Sequence, residues 1–125
     1  MPFQYVLANL LADHPEAVGV LFLDDSGETV DFACADDSPY EIQLLGAYLG
    51  IYLRQLGDVV DAAALGSIRN IYIERRNRHL HVAVLPDGYC LALVQRHPAR
   101  VARARHRLTV AAQSIAREVF NSEIP

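Results

Sequence analysis

Residues 38–57 read SPYEIQLLGAYLGIYLRQLG, and they carry more apolar surface than one neighbour can cover. Ser38, with Glu41 three residues on, has the spacing of a capping box, which predicts a helix from about Pro39 to Leu56 with Gly57 as its stop. On a helical wheel Ile42, Leu45, Leu49, Tyr52, Leu53 and Leu56 form one stripe, wide enough to cover a face of a sheet. Leu44, Ala47, Tyr48 and Ile51 form a second apolar set across the helix, while Gly46 and Gly50, four apart, open a flat strip where another backbone can come close. The two other helical segments of the chain each have a single apolar stripe, with none to spare for this second side, so self-association is expected. A membrane span is excluded, because the apolar run from Leu44 to Leu53 is about half of the ~20 residues a span needs.

Working outward, Phe3, Val6, Leu7, Leu10 and Leu11 recur at helical spacing until His14-Pro15 stops the pattern. AVGVLFL from Ala17 is continuously apolar, DDSG at 24–27 supplies turn chemistry, and ETVDFAC puts Val30 and Phe32 on one face. A hairpin with a buried first strand follows. Downstream, DVVDAAALG (58–66) is a connection with room for a helical turn. SIRNIYIER (67–75), HLHVAVL (79–85) and YCLALVQR (89–96) read as a three-strand meander with turns at Arg76-Asn77 and Pro86-Asp87-Gly88. After His97-Pro98, Val101, Ala104, Leu108, Ala111 or Ala112, Ile115 and Val119 mark one face of a closing helix. Helix, two strands, helix, three strands, helix is an α+β order, and with no repeat or linker to divide it a single domain over 1–125 is expected. SIRNIYIER, as the first strand of the meander, is an edge strand without Pro or bulge signal. Its Arg69, Glu74 and Arg75 either shield it or rim an edge-to-edge pairing of two copies.

The composition narrows the chemistry. Of 125 residues, 52% are hydrophobic and 21% charged, and all eleven basic residues are Arg. Without lysine there is no Schiff base, no lysine general base and no phosphate-binding P-loop. Residues 1–57 hold nine acids against Arg54 alone, whereas 58–125 hold ten Arg against six acids. The net charge of -4 argues against a general nucleic-acid binder. Cys34 and Cys90 are too few for a disulfide framework, and the first residues lack a signal-peptide pattern, so a reducing cytoplasm is the expected location. No GxSxG, HExxH or GxGxxG motif is present. His79 and His81, two apart on a strand, offer two nitrogens on one face to a transition metal, but two ligands do not make a site, and polar residues on a half-covered face are the simpler reading. Asp24, Asp25 and Glu28 lack the calcium-loop spacing and fit a turn. Cys90, the one candidate nucleophile with basic neighbours, sits on a central strand and reads as packing. No catalytic, cofactor-binding or metal residue is therefore expected. Arg100, Arg103 and Arg107 share one face of the closing helix, and beyond a solvated face they suit an acidic surface, on a partner or on the first half of the chain.

The succession GVLFLDDSGETV, SPYEIQLLGAYLGIYLRQLG, RHLHVAVLPDGYCLALVQR and a closing amphipathic helix resembles the Roadblock/LC7 family from about Phe3 to Val119. The likeness is to its bacterial gliding-motility members, which include a GTPase-activating partner of a Ras-like GTPase; order and spacing carry it, since the family has no catalytic signature. The resemblance implies an αββαβββα, profilin-like fold: a five-stranded antiparallel sheet in order 2-1-5-4-3, first and last helices on one face, middle helix on the other. It implies dimerisation through the middle helix and third strand, which places Leu44, Ala47, Tyr48, Ile51, Ile71, Tyr72 and Ile73 at the seam. It further implies that paired middle helices form a platform for a small GTPase, with Glu41, Gln43, Arg54 and Gln55 as its polar positions here. The expected function is a non-catalytic homodimeric regulator or scaffold of a Ras-like GTPase, without cofactor. The rival class is a small sensory domain of GAF/PAS or profilin-like type with a ligand between sheet and helix, for which the connection 58–66 is short.

Overall fold

A computed structural model describes residues 2–35 and 39–121, so Ser38 of the expected capping box lies outside the described residues. The elements are α1 (Pro2–Ala12), β1 (Ala17–Leu23), β2 (Thr29–Cys34), α2 (Pro39–Ala62), β3 (Asn70–Glu74), β4 (Arg78–Val84), β5 (Cys90–Arg96) and α3 (Val101–Val119). All pairings are antiparallel, in the order β2-β1-β5-β4-β3. The continuous apolar run AVGVLFL becomes β1, buried along its whole length, beside β5, buried as far as Gln95. Strands buried on both faces need cover on both faces. α1 and α3 pack together on one, around Leu7, Leu10, Val20, Phe22, Leu93 and Ile115. α2 covers the other, around Leu21, Leu23, Ile42, Leu49 and Ala92.

Gly57 does not stop α2, which runs on to Ala62 and takes up much of the expected connection. A mid-helix glycine costs only about 1 kcal/mol against alanine, and Val60, one turn on, regains contact with the sheet side as a half-buried residue. The true end is a Schellman motif: Leu65 N–H donates to the Val60 carbonyl at 3.2 Å, Ala64 N–H to that of Asp61 at 3.1 Å, and Ala64 is left-handed at φ 56°. The Ile-rich strand is shorter than its sequence pattern, starting at Asn70 rather than Ser67.

The Gly46/Gly50 strip is used inside the chain. A Cβ on Gly50 would stand 2.7 Å from the Gly27 Cα and closer still to its carbonyl oxygen, and one on Gly46 would lie 2.8 Å from Thr29 Oγ1. The β1–β2 turn therefore nests against α2. That turn is held by Asp24, whose carboxylate accepts the N–H of Ser26 and of Glu28, each at 2.9 Å. Seating the glycines on the hairpin turns Ile42, Gly46, Leu49 and Gly50 inward and leaves Tyr52 and Leu56 exposed, outside the buried stripe that the wheel gave them.

Gly50→Ala should destabilise the fold by about 1–3 kcal/mol through overpacking, whereas Gly57→Ala, with nothing within 4 Å of its new Cβ, should stabilise it by about 0.5–1 kcal/mol. Urea denaturation at one fixed protein concentration checks both; equal effects would contradict the nested turn.

Candidate functional site

Five strands about 4.8 Å apart make a sheet roughly 24 Å wide, and a helix with its side chains spans about 10 Å. Two helices cover one face here, but α2 lies alone on the other and packs on β1 and β2. On that side the β4–β3 half is only partly covered: Ile71, Leu80 and Val84 are half-buried, and Ile73 is exposed. α2 itself carries an exposed apolar strip, formed by Leu44, Ala47, Tyr48, Ile51, Tyr52 and Val59, with Tyr48 and Ile51 each 54% accessible. β3 pairs with β4 alone, so its outer edge has no strand beside it among the described residues. Tyr52 and Val59 belong to the α2 strip although the sequence reading did not place them there; the signal was available in the glycine strip, which fixes the rotation of α2.

The remaining sequence candidates separate. Ile71 and Ile73 face the α2 side of β3, while Tyr72 faces the other side, its ring against those of His79 and His81. Glu41, Gln43, Arg54 and Gln55 are exposed on α2, and the Arg54 guanidinium donates to the Ser26 carbonyl at 2.6 Å, tying helix to hairpin. Arg100, Arg103 and Arg107 are exposed at the start of α3, across the sheet from α2. The two sets of polar candidates therefore do not form one surface.

Beneath the C-terminal half of α2 lies a crevice of about 300 Å³ with an apolar floor of Leu53, Val60, Ile68, Ile71, Val84 and Cys90, and with Asp25, Arg54 and Asp61 exposed at its mouth. Burial pushes the Cys90 thiol up to about 11, so at neutral pH it is protonated and no nucleophile.

His79 and His81 share one face of β4, but that face is closed: each is 2% accessible, because α3 crosses over β4. His79 bonds through Nδ1 to the Tyr72 hydroxyl at 2.7 Å and through Nε2 to Nδ1 of His97 at 3.0 Å. His81 Nε2 meets Gln95 Oε1 at 2.7 Å, and Gln95 Nε2 donates to Glu16 Oε1 at 3.0 Å. A carboxylate only accepts, so Glu16 fixes the Gln95 amide, and the amide oxygen fixes the proton of His81 on Nε2. Burial would raise the Glu16 carboxyl, but its own backbone N–H, that of Arg100, and the charges of His14 and Arg100 outweigh this and hold it below the ordinary range. Burial lowers the His81 pKa, opposed by the Gln95 hydrogen bond and reinforced by His79, His14 and Arg105. His14 is also buried, with no hydrogen-bond partner for either ring nitrogen, and burial lowers its pKa against the pull of Glu16. Among the described residues no three His, Cys, Asp or Glu side chains converge as a metal site, and no helix is long and apolar enough to cross a membrane.

The unfolded chain takes up its histidine protons near pH 6.5, the folded chain at lower pH for His14 and His81. Stability should therefore be fully present above about pH 6.5 and fall as the pH drops below it. Removing the orphaned imidazole with His14→Leu should stabilise the fold at pH 5.5 more than at pH 7.5, by about 1 kcal/mol or more. Denaturant titrations at the two pH values test this, and a pH-independent effect would contradict it.

The element order, the strand order and the division of helices between the two faces are those of the Roadblock/LC7 fold, as the sequence resemblance implied. MglB of Myxococcus xanthus is 14% identical, with a TM-score of 0.86 over 98% of both chains. A Roadblock/LC7 domain from Streptomyces avermitilis is 16% identical, with a TM-score of 0.81 over 93% of this chain and 96% of that one. The gliding protein MglB from Thermus thermophilus is 16% identical, with a TM-score of 0.83 over 96% of this chain and 90% of that one. No family model and no curated protein matches the sequence. At these identities the likeness is one of fold.

Proposed function

We propose that the chain is a homodimeric, non-catalytic regulator or scaffold that binds a Ras-like small GTPase and modulates its nucleotide cycle. The observation that carries this reading is the exposed apolar strip of α2 beside the uncovered half of the sheet. A second copy is the occupant that fits, because in a two-fold pair each α2 lies over the open half of the other sheet and the β3 edges pair. The seam comprises Leu44, Ala47, Tyr48, Ile51, Ile71, Tyr72 and Ile73, with Tyr52 and Val59 added. The GTPase rests on the paired helices through Glu41, Gln43, Arg54 and Gln55, while Arg100, Arg103 and Arg107 offer a separate basic surface to an acidic partner. A lysine-free chain with a protonated buried thiol has little chemistry of its own. It acts by holding the GTPase in the conformation that aligns the partner's own catalytic groups and Mg²⁺. The relatedness in fold to MglB gliding proteins supports this class.

The crevice under α2 favours a second reading, a small apolar ligand held between helix and sheet; about 300 Å³ is the lower end of ligand-pocket volumes.

Ile51→Glu, in the middle of the strip, should leave the circular dichroism unchanged, split the dimer and remove stimulation of GTP hydrolysis. Capture and hydrolysis assays against purified small GTPases of the host decide this. A dimer that survives the substitution contradicts the seam, and wild type without capture of any of them contradicts the GTPase reading.

A further inference from the structure

Four of the five histidines, His14, His79, His81 and His97, lie in one polar strip across the α1/α3 side of the sheet, at the end where α3 begins. The function proposed above uses none of them. We propose that this strip is an acid-sensitive latch on the edge strand: a second proton entering the hydrogen-bonded chain Tyr72–His79–His97 breaks it and loosens β3 from β4. The inference rests on the reading of β3 as the edge where two copies pair, and it adds a regulation to that edge.

In the uncharged chain the Tyr72 hydroxyl donates to His79 Nδ1, and His79 Nε2–H donates to His97 Nδ1. One added proton is accommodated, since a single N–H still lies between the facing imidazole nitrogens. Two added protons set N–H against N–H across 3.0 Å, and the contact becomes repulsive. His97 is exposed and collects protons from solvent, whereas His79 is buried and cannot turn to water without movement of the strands around it. β3 is the element least able to resist: five residues long, paired on one side, with Tyr72 forming the far end of the chain.

The charges around the strip are of both signs. From α3, Arg105 acts on His81, and Arg103 and Arg107 act on His14. Arg100 stands by Glu16, and Arg78 of β4 is in register with Arg96 of β5 at the strand ends beside the pair. Against these stand Asp13 and Glu16 near His14, and Glu74, which is near Tyr72 and in register with His79 across the β3–β4 pair. The opposition to a second proton therefore comes from within the pair, where N–H would meet N–H across the His79–His97 contact.

The test is the dimer dissociation constant by sedimentation equilibrium at about pH 7.5 and 5.5, where protonation should raise it roughly tenfold while the far-UV circular dichroism stays unchanged. His97→Asn keeps an acceptor in the place of Nδ1 and removes the titration; it should leave the neutral-pH constant intact and lose most of the rise. Equal pH dependence in wild type and His97→Asn, no pH dependence at all, or global unfolding at the lower pH overturns the latch and leaves the dimer standing. A wild-type chain that is monomeric at the higher pH overturns the dimer reading, and the latch with it.

Discussion

One helix lies over a sheet face more than twice its width, and the shape of the whole molecule follows from that mismatch. The central strands β1 and β5 are apolar on both sides and demand cover on both. On one side α1 and α3 supply it together; on the other α2 has to choose, and its glycines settle the choice by letting the β1–β2 turn nest against it. Once α2 is seated over β1 and β2, the β4–β3 half is only partly covered, and Tyr52 and Leu56 are left exposed. The outward strip and the partly covered sheet are thus two consequences of one packing decision. A second copy is the occupant proposed for both.

Much of this was legible from the residues. Continuous against alternating apolar patterns separated β1 from β2, and 3.6-residue periodicity gave all three helices. The strand order came from the family resemblance rather than from periodicity, which cannot tell which strands are neighbours. The surplus of apolar positions on α2 announced an outer strip, but the rotation of the helix did not follow from the wheel, because a wheel treats glycine as a gap and not as a contact. Nor did the end of α2, since a single glycine resembles a stop wherever it falls near the expected length, and only the backbone of Ala64 shows where the stop is.

The polar strip was the least legible feature. HLHVAVL alternates as a half-exposed strand does, and the burial of its histidines depends on α3, which arrives some twenty residues later and crosses β4. Glu16 and Gln95 are 79 positions apart and meet only in the folded sheet, where the carboxylate orders an amide and the amide orders an imidazole. Such a network puts titratable groups where a hydrophobic core would otherwise run unbroken. It lies on the side of the sheet opposite Ile71, Leu80 and Val84, so the two faces of the β3–β4 edge differ in kind, apolar on one and polar on the other.

The all-Arg composition also takes a place in this picture. Eight of the ten arginines of the second half, all but Arg69 and Arg117, cluster at the end where β4 begins, β5 ends and α3 starts, whereas Asp24, Asp25, Glu28 and Asp87 gather at the opposite end of the sheet. Neither group interrupts the apolar strip of α2, which leaves that strip free to act as a seam. The most direct measurement is the solution mass by light scattering at micromolar concentration and neutral pH. Twice the mass of one chain is the predicted result; the mass of a single chain would contradict a seam built from α2 and β3.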